Sequence, residues 1–249
     1  MIRFENVEKA FGGHQVLRGV SFTIQPGDVH FLMGCSGAGK SVLIKHLVGL
    51  LRPDAGRIWL EHQELTGLRE RGFHEVRKRC QMIFQHATLF ESMSVLENVA
   101  MPLQKRFHLS RNVAEERALA ALEQVHGAHL RERYPADLGI GVRKRVAIAR
   151  AIALEPEILL YDEPTTGLDP VAARRTDRLI QEMAQRLGIT SVVVSHDLTS
   201  MEQIAAQVTF LHQGRVHFEG PPETMMASRD PVLHAFVNAG GGRWSPPAP

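Results

Sequence analysis

The chain has 249 residues, 44% hydrophobic and 6% aromatic, with 29 Lys plus Arg against 27 Asp plus Glu. It is long enough for a sizeable core, and its formal charge of +2 supplies no strong basic field, so a nucleic-acid partner is not expected. Two cysteines, Cys35 and Cys80, exclude a disulfide framework and suit a reducing compartment; residues 1–5 lack the apolar core of a signal peptide, and no stretch approaches the roughly 18–20 uncharged apolar residues of a membrane span.

The first twenty-five residues alternate apolar and polar, as do residues 56–65; both predict antiparallel strands beside a main sheet. Val29-His30-Phe31-Leu32-Met33 is a short apolar run and reads as a buried parallel strand. A Gly-rich turn follows, then a helix over 41–51 that stops before Arg52-Pro53. The stretch from about 89 to 154 reads as mainly helical. Within it, a helix over 112–125 has Asn112 as N-cap and Glu115 at capping-box spacing, with Val113, Ala114, Ala118, Ala121, Leu122 and Val125 on one face; another covers 142–154. Two more apolar runs, 158–161 and 189–194, predict strands, and 172–187 predicts a helix. The sum is an α/β fold: a core from about 1–88 and 155–238, a helical subdomain inserted at about 89–154, and a Gly- and Pro-rich tail over 239–249 that is expected to be mobile.

Chemistry gathers at the ends of the predicted parallel strands. Gly34-Cys35-Ser36-Gly37-Ala38-Gly39-Lys40-Ser41 fits G-x-x-x-x-G-K-[ST] between a strand and a helix, the setting the motif requires. Its glycines let successive N–H groups turn toward phosphate oxygens, and the helix N-terminus adds favourable dipole. Lys40 would reach the β- and γ-phosphates and Ser41 would ligate Mg²⁺. Cys35 reads as a small side chain at a tolerant position rather than a redox group. Asp162-Glu163 ends the next strand: Asp162 offers the oxygen that Mg²⁺ prefers, and Glu163 is the candidate general base for an attacking water. His196 ends the third strand on the same edge and would contact the γ-phosphate. Gln85, taken alone, reads as a surface residue.

In this order the pieces resemble the ATP-binding-cassette ATPases. The match takes in Gly34–Ser41 (Walker A), Gln85 (Q-loop), Arg145–Ala151 after the signature position, Leu159–Glu163 (Walker B), Gly167-Leu168-Asp169 (D-loop) and His196 (switch histidine). The resemblance implies a P-loop NTPase with a RecA-like core of ABC ATPase type, an antiparallel β subdomain and an inserted helical subdomain. It implies ATP and Mg²⁺ as ligands, Phe11 stacking on adenine, Ser41, Gln85 and Asp162 around the metal, and Glu163, His196 and Gln85 in catalysis. It places Gly139, Gly141 and Asp169 against nucleotide held by a second ATPase chain, most simply another copy. Residues 82–103 and 230–237 further resemble ATPases of Mla-type phospholipid transporters. That subgroup implies attachment at the cytoplasmic face of the inner membrane, an inner-membrane permease whose coupling helix meets Phe90, Met93 and Val95, and a periplasmic or membrane-anchored lipid-binding component.

One segment departs from the family. Where its signature reads L-S-G-G-Q, this chain has Leu138-Gly139-Ile140-Gly141-Val142. Gly139 lacks the hydroxyl that grips the γ-phosphate across the dimer, and Ile140 is expected to resist a positive φ that glycine permits. Retained ATP binding with weakened closure and hydrolysis is the expectation. The alternatives are a nucleotide-binding regulatory subunit, the ATPase of a different ABC importer, and a soluble cassette acting on ribosomes or nucleic acid, which the low net charge disfavours.

Overall fold

A computed structural model describes residues 1–240 of the chain. Expected tail residues 241–249 lie outside the described residues.

Strands β1 (Ile2–Phe11), β2 (His14–Ile24), β4 (Ala55–Leu60) and β5 (Gln63–Glu64) form an antiparallel sheet in the order β2-β1-β4-β5. The main sheet has the order β10-β9-β3-β8-β7-β6, with β3 (Val29–Gly34), β6 (Cys80–Ile83), β7 (Ile158–Asp162), β8 (Thr190–Val194), β9 (Gln207–His212) and β10 (Arg215–Gly220). All its pairings are parallel except β9 with β10. Strands β3, β7 and β8 are buried at every position, as continuous apolar runs demand when both faces are covered.

The pleat divides those strands between two cores. Phe31, Met33, Leu159, Tyr161 and Val193 face one, together with helices α3 (Val95–Phe107), α4 (Arg111–Gln124), α5 (Ile140–Ile152) and α6 (Pro170–Leu187). Leu32, Leu160, Val192 and Val194 face the other, with α1 (Lys40–Leu47), α2 (Glu70–Arg79) and the antiparallel sheet. Each fully buried side chain of this size contributes roughly 1.5–3 kcal/mol of transfer free energy. The remaining α-helices among the described residues are α7 (Leu198–Ile204), α8 (Pro222–Met226) and α9 (Pro231–Asn238). Helices α3, α4 and α5 all lie in the crossover between the neighbouring parallel strands β6 and β7.

Two helix boundaries differ from expectation. Helix α1 ends at Leu47, not at 51, because Gly49 takes φ 69° and a Cβ there would lie 2.5 Å from the Phe73 ring. The stop is this glycine rather than Pro53. Helix α4 starts at Arg111 with Ser110 as N-cap, so Asn112 is inside the helix and Glu115 pairs with Arg111 at 2.6 Å instead of closing a capping box. Val113 faces solvent and drops out of the apolar face, while Ala114, Ala118, Ala121, Leu122 and Val125 are buried.

The capping box occurs instead at α3. The Ser94 hydroxyl accepts from the Glu97 N–H, and the Glu97 carboxylate accepts from the Ser94 N–H at 2.9 Å. Buried Asn98, one residue on, accepts from the Phe90 N–H and donates to the carbonyls of Phe90, Met93 and Ser94, fixing the turn that leads into α3. Replacing Ser94 with Ala should cost about 1 kcal/mol of stability, whereas Asn112→Ala should change it by no more than a few tenths. Chemical denaturation of the two variants checks this, and equal losses would contradict the assignment of the caps.

Candidate functional site

Strands β3, β8 and β7 lie side by side, and their register aligns Leu32 with Val194 and Val194 with Asp162. The loops that leave their carboxyl ends therefore open on one edge. The first is the glycine-rich loop. Gly34 has φ 139° and Gly39 φ 98°; a Cβ on Gly34 would lie 2.4 Å from the Leu211 carbonyl oxygen, and one on Gly39 would lie 2.5 Å from Leu17. Neither position accepts a side chain. Gly37, at φ 80°, faces open space and supplies conformation only. Lys40 is buried, and its ammonium donates to the carbonyls of Gly34 (2.8 Å) and Cys35 (2.9 Å). Among the described residues no carboxylate bonds it. Burial lowers its pKa, with Glu163, Cys35 and Asp162 acting in the opposite direction. A cation fixed at the rim of a curled backbone with no anionic partner is a phosphate-binding arrangement.

Ser41 and Asp162 meet across the loop: the hydroxyl donates to Asp162 Oδ1 at 2.6 Å. This pair is made of hard oxygen donors, and Gln85 lines the same cleft. The set fits Mg²⁺, which takes oxygen ligands from one or two side chains and leaves the rest to phosphate and water. Phe11, half exposed at the far end of the cleft, has the Lys9 ammonium 5.3 Å from its ring centre. Ser36, Ala38, His14 and Val16 complete the walls. Cys35 is buried and its thiol is pushed up by desolvation, in keeping with an inert small residue.

Glu163 follows β7 with φ 53°, a left-handed conformation uncommon for a residue with a Cβ. Its N–H donates to the Val194 carbonyl at 2.9 Å. Its carboxylate is held twice: the Thr166 hydroxyl donates to Oε2 at 2.8 Å, and His196 Nδ1 lies 3.1 Å from Oε1 and 3.0 Å from Oε2. Burial alone would raise the Glu163 carboxyl; the hydrogen bond and charge of His196, the Thr166 hydroxyl and Lys40 outweigh it and hold the group below its ordinary value. His196 moves up, through the same hydrogen bond to Glu163 and against its own desolvation. Thr166 was not singled out in the sequence, although a hydroxyl three residues past a strand-end carboxylate is within reach of it.

The structure does not bring every expected residue to this cleft. Gly139, Gly141 and Asp169 line a second cleft with Ile140, Val142, Arg145, Leu168 and Ala172. Asp169 is occupied as the N-cap of α6, accepting from the N–H groups of Val171 and Ala172 at 2.9 Å. The expected backbone strain at Ile140 is absent. Gly139 is the N-cap of α5 at φ −66°, Ile140 is the first residue of that helix, and neither has a positive φ. Both conformations suit any L-residue. What distinguishes Ile140 is steric: its side chain is 59% exposed at the mouth of the second cleft.

Residues 17–166 match the sequence model of a family described as ABC transporter. Over 237 residues the chain is 37% identical to the arginine/ornithine transport ATP-binding protein AotP of Pseudomonas aeruginosa, spanning 91% of this chain and 93% of that one. Over 242 residues it is 37% identical to the methionine import ATP-binding protein MetN of Carboxydothermus hydrogenoformans, spanning 96% of this chain and 72% of that one. Among solved structures, a dimeric ATP-binding cassette in a post-hydrolysis state bound to ADP and Pi superimposes with a TM-score of 0.81 at 29% identity, over 89% of this chain and 99% of its own. The cbiO1 protein of Clostridium perfringens, part of the transporter complex cbiONQ, gives 0.84 at 29% identity, over 95% and 94%.

The Glu163–His196 pair makes a pH prediction. The lowered carboxyl contributes stability above about pH 4.5 that is lost as pH falls through its folded value. The raised imidazole contributes stability below about pH 6.5 that is lost as pH rises through its folded value. Glu163→Gln should lower the His196 pKa, as followed by the ring-proton shifts in an NMR titration. An unchanged His196 titration would contradict the pairing.

Proposed function

The chain belongs to the ABC transporter family of ATP-binding proteins and is an ATPase that uses ATP with Mg²⁺, and from that premise we propose that it drives an importer of small polar solutes of the amino acid class. The observation that carries the catalytic half of this reading is the meeting on one sheet edge of Lys40, the Ser41–Asp162 oxygen pair and the Glu163–His196 pair. The substrate half is supported by relatives whose names specify arginine, ornithine and methionine, at 37% identity across more than nine-tenths of this chain.

In this reading the loop N–H groups and Lys40 bind the phosphates, and Phe11 stacks on the base. Ser41, Asp162 and Gln85 would hold Mg²⁺, whose positive charge would offset the negative charge on the phosphate oxygens. Glu163 accepts the proton of the attacking water. Its lowered pKa keeps it ionised at neutral pH, and its bonds to Thr166 and His196 fix its orientation. His196, facing the cleft, contacts the terminal phosphate. The cleft at Gly139, Gly141 and Asp169, separate within one chain from the cleft of Lys40, would meet the nucleotide of a second chain, as the signature's place in the family implies. Residues of about 89–154 form the subdomain that meets the permease, with the chain attached peripherally at the cytoplasmic face of the inner membrane. Among the described residues no helix is long and apolar enough to cross a membrane.

A second reading keeps the motor and changes the cargo. Residues 82–103 and 230–237 resemble the corresponding parts of phospholipid-transporter ATPases. Uptake of labelled arginine, ornithine and methionine in cells carrying Glu163→Gln separates the two. Loss of uptake of one of these solutes is expected. Unchanged uptake together with altered phospholipid distribution between membranes would replace the importer by the lipid transporter.

The signature makes a further prediction. A hydrogen bond to a charged group is worth about 1.5–3 kcal/mol, so Gly139→Ser with Ile140→Gly should raise ATP turnover about ten- to a hundredfold. The space around Gly139 is open, so the serine fits without rearrangement. No gain in steady-state phosphate release would show that these residues do not limit turnover.

A further inference from the structure

The Glu163 loop is held from below by a residue that no motif points to. Lys144 lies on α5, one turn past Ile140, and is only 4% exposed. Its ammonium donates to three backbone carbonyls: Glu163 at 3.1 Å, Pro164 at 2.8 Å and Thr166 at 2.8 Å. Three donors meet three acceptors, so the group is fully satisfied without bonding a carboxylate. A lone buried cation is a costly way to anchor a helix; burial lowers the Lys144 pKa to about 8, while the charge of Glu163 opposes that shift. An apolar residue would pack α5 against the sheet more cheaply, as Val146, Ala147 and Ile148 do.

What the cation supplies is control of the loop backbone. Glu163 has φ 53°, which a residue with a Cβ keeps only where its surroundings enforce it. Its N–H is fixed by the Val194 carbonyl and its C=O by Lys144. The Thr166 hydroxyl donates to the Glu163 carboxylate while the Thr166 carbonyl accepts from Lys144. One ammonium therefore fixes both the carboxylate's own backbone and that of the hydroxyl that orients it.

We propose that Lys144 is a positioning residue for ATP hydrolysis: its ammonium clamps the backbone of residues 163–166 so that the Glu163 carboxylate faces the phosphate edge. This rests on the reading of Glu163 as the group that activates water. Lys144 itself does not line the cleft of Lys40, so it acts through the loop and not on nucleotide.

The test compares Lys144→Met, Lys144→Gln and Lys144→Arg with the full-length wild type and Glu163→Gln. Two quantities are measured: kcat for phosphate release and the Kd of a fluorescent ATP analogue. Loss of charge-assisted bonds to the loop should lower kcat of Lys144→Met about ten- to a hundredfold, with Kd within about twofold of wild type. Lys144→Arg, which keeps the charge and its donors, should recover part of that loss, and Lys144→Gln should fall between. Wild-type kcat in Lys144→Met or Lys144→Gln would overturn the proposal. So would a parallel loss of kcat and nucleotide affinity, which marks a merely structural role. If Lys144→Met does not fold, the Gln and Arg variants decide. Glu163→Gln separates the two claims: if it keeps wild-type turnover the reading of Glu163 fails, whereas turnover lost there but kept in the Lys144 variants rejects the clamp alone.

Discussion

The parallel pairing of β3, β8 and β7 is the constraint on which the rest of this molecule depends. Three adjacent strands running the same way deliver three loops to one edge, and the shared row of Leu32, Val194 and Asp162 sets their depth. A shift of one residue in β7 would turn Asp162 to the opposite face and break its 2.6 Å bond with Ser41. Burial on both faces is what prevents such a shift. The alternation of Leu32, Leu160 and Val194 with Phe31, Leu159 and Val193 assigns each side chain to one of two cores, so any slip would exchange them.

Polar groups at that edge hold one another. Lys40 rests on carbonyls of its own loop, Ser41 on Asp162, and Glu163 on Thr166 and His196. In the proposed reading, groups fixed in this way need little reorganisation when charge develops on a phosphate, which is where electrostatic stabilisation acts. Helix α5 ties the edge to the rest of the chain. Its first residue, Ile140, opens on the second cleft, Lys144 grips the Glu163 loop, and Arg150 donates to the carbonyls of Ala87 and Thr88, just beyond Gln85.

Much of this was legible in the sequence, for physical reasons. The glycine-rich loop is legible because only glycine meets the close approaches at Gly34 and Gly39. The strands are legible because two-sided burial leaves unbroken apolar runs. The α4 boundary was not, since Ser110 and Asn112 are both good N-caps and only packing selects between them. Ile140 was misjudged because the signature it resembles has glycine at that position, whereas the backbone there is the ordinary start of a helix. Lys144 was invisible because its partners are backbone carbonyls about twenty residues away, which have no signature in side-chain identity. On solute class the two lines of comparison diverge: residues 82–103 and 230–237 resemble ATPases of phospholipid transporters, while the relatives' names specify arginine/ornithine transport and methionine import.

The claim that this edge is where ATP is bound and cleaved is tested most directly by phosphate release from ATP, measured for the wild type and Lys40→Ala with Mg²⁺ present and after its removal by chelation. The account predicts release by the wild type with Mg²⁺, and loss of that release both on chelation and in Lys40→Ala. Wild-type turnover in Lys40→Ala, or turnover indifferent to Mg²⁺, would contradict it.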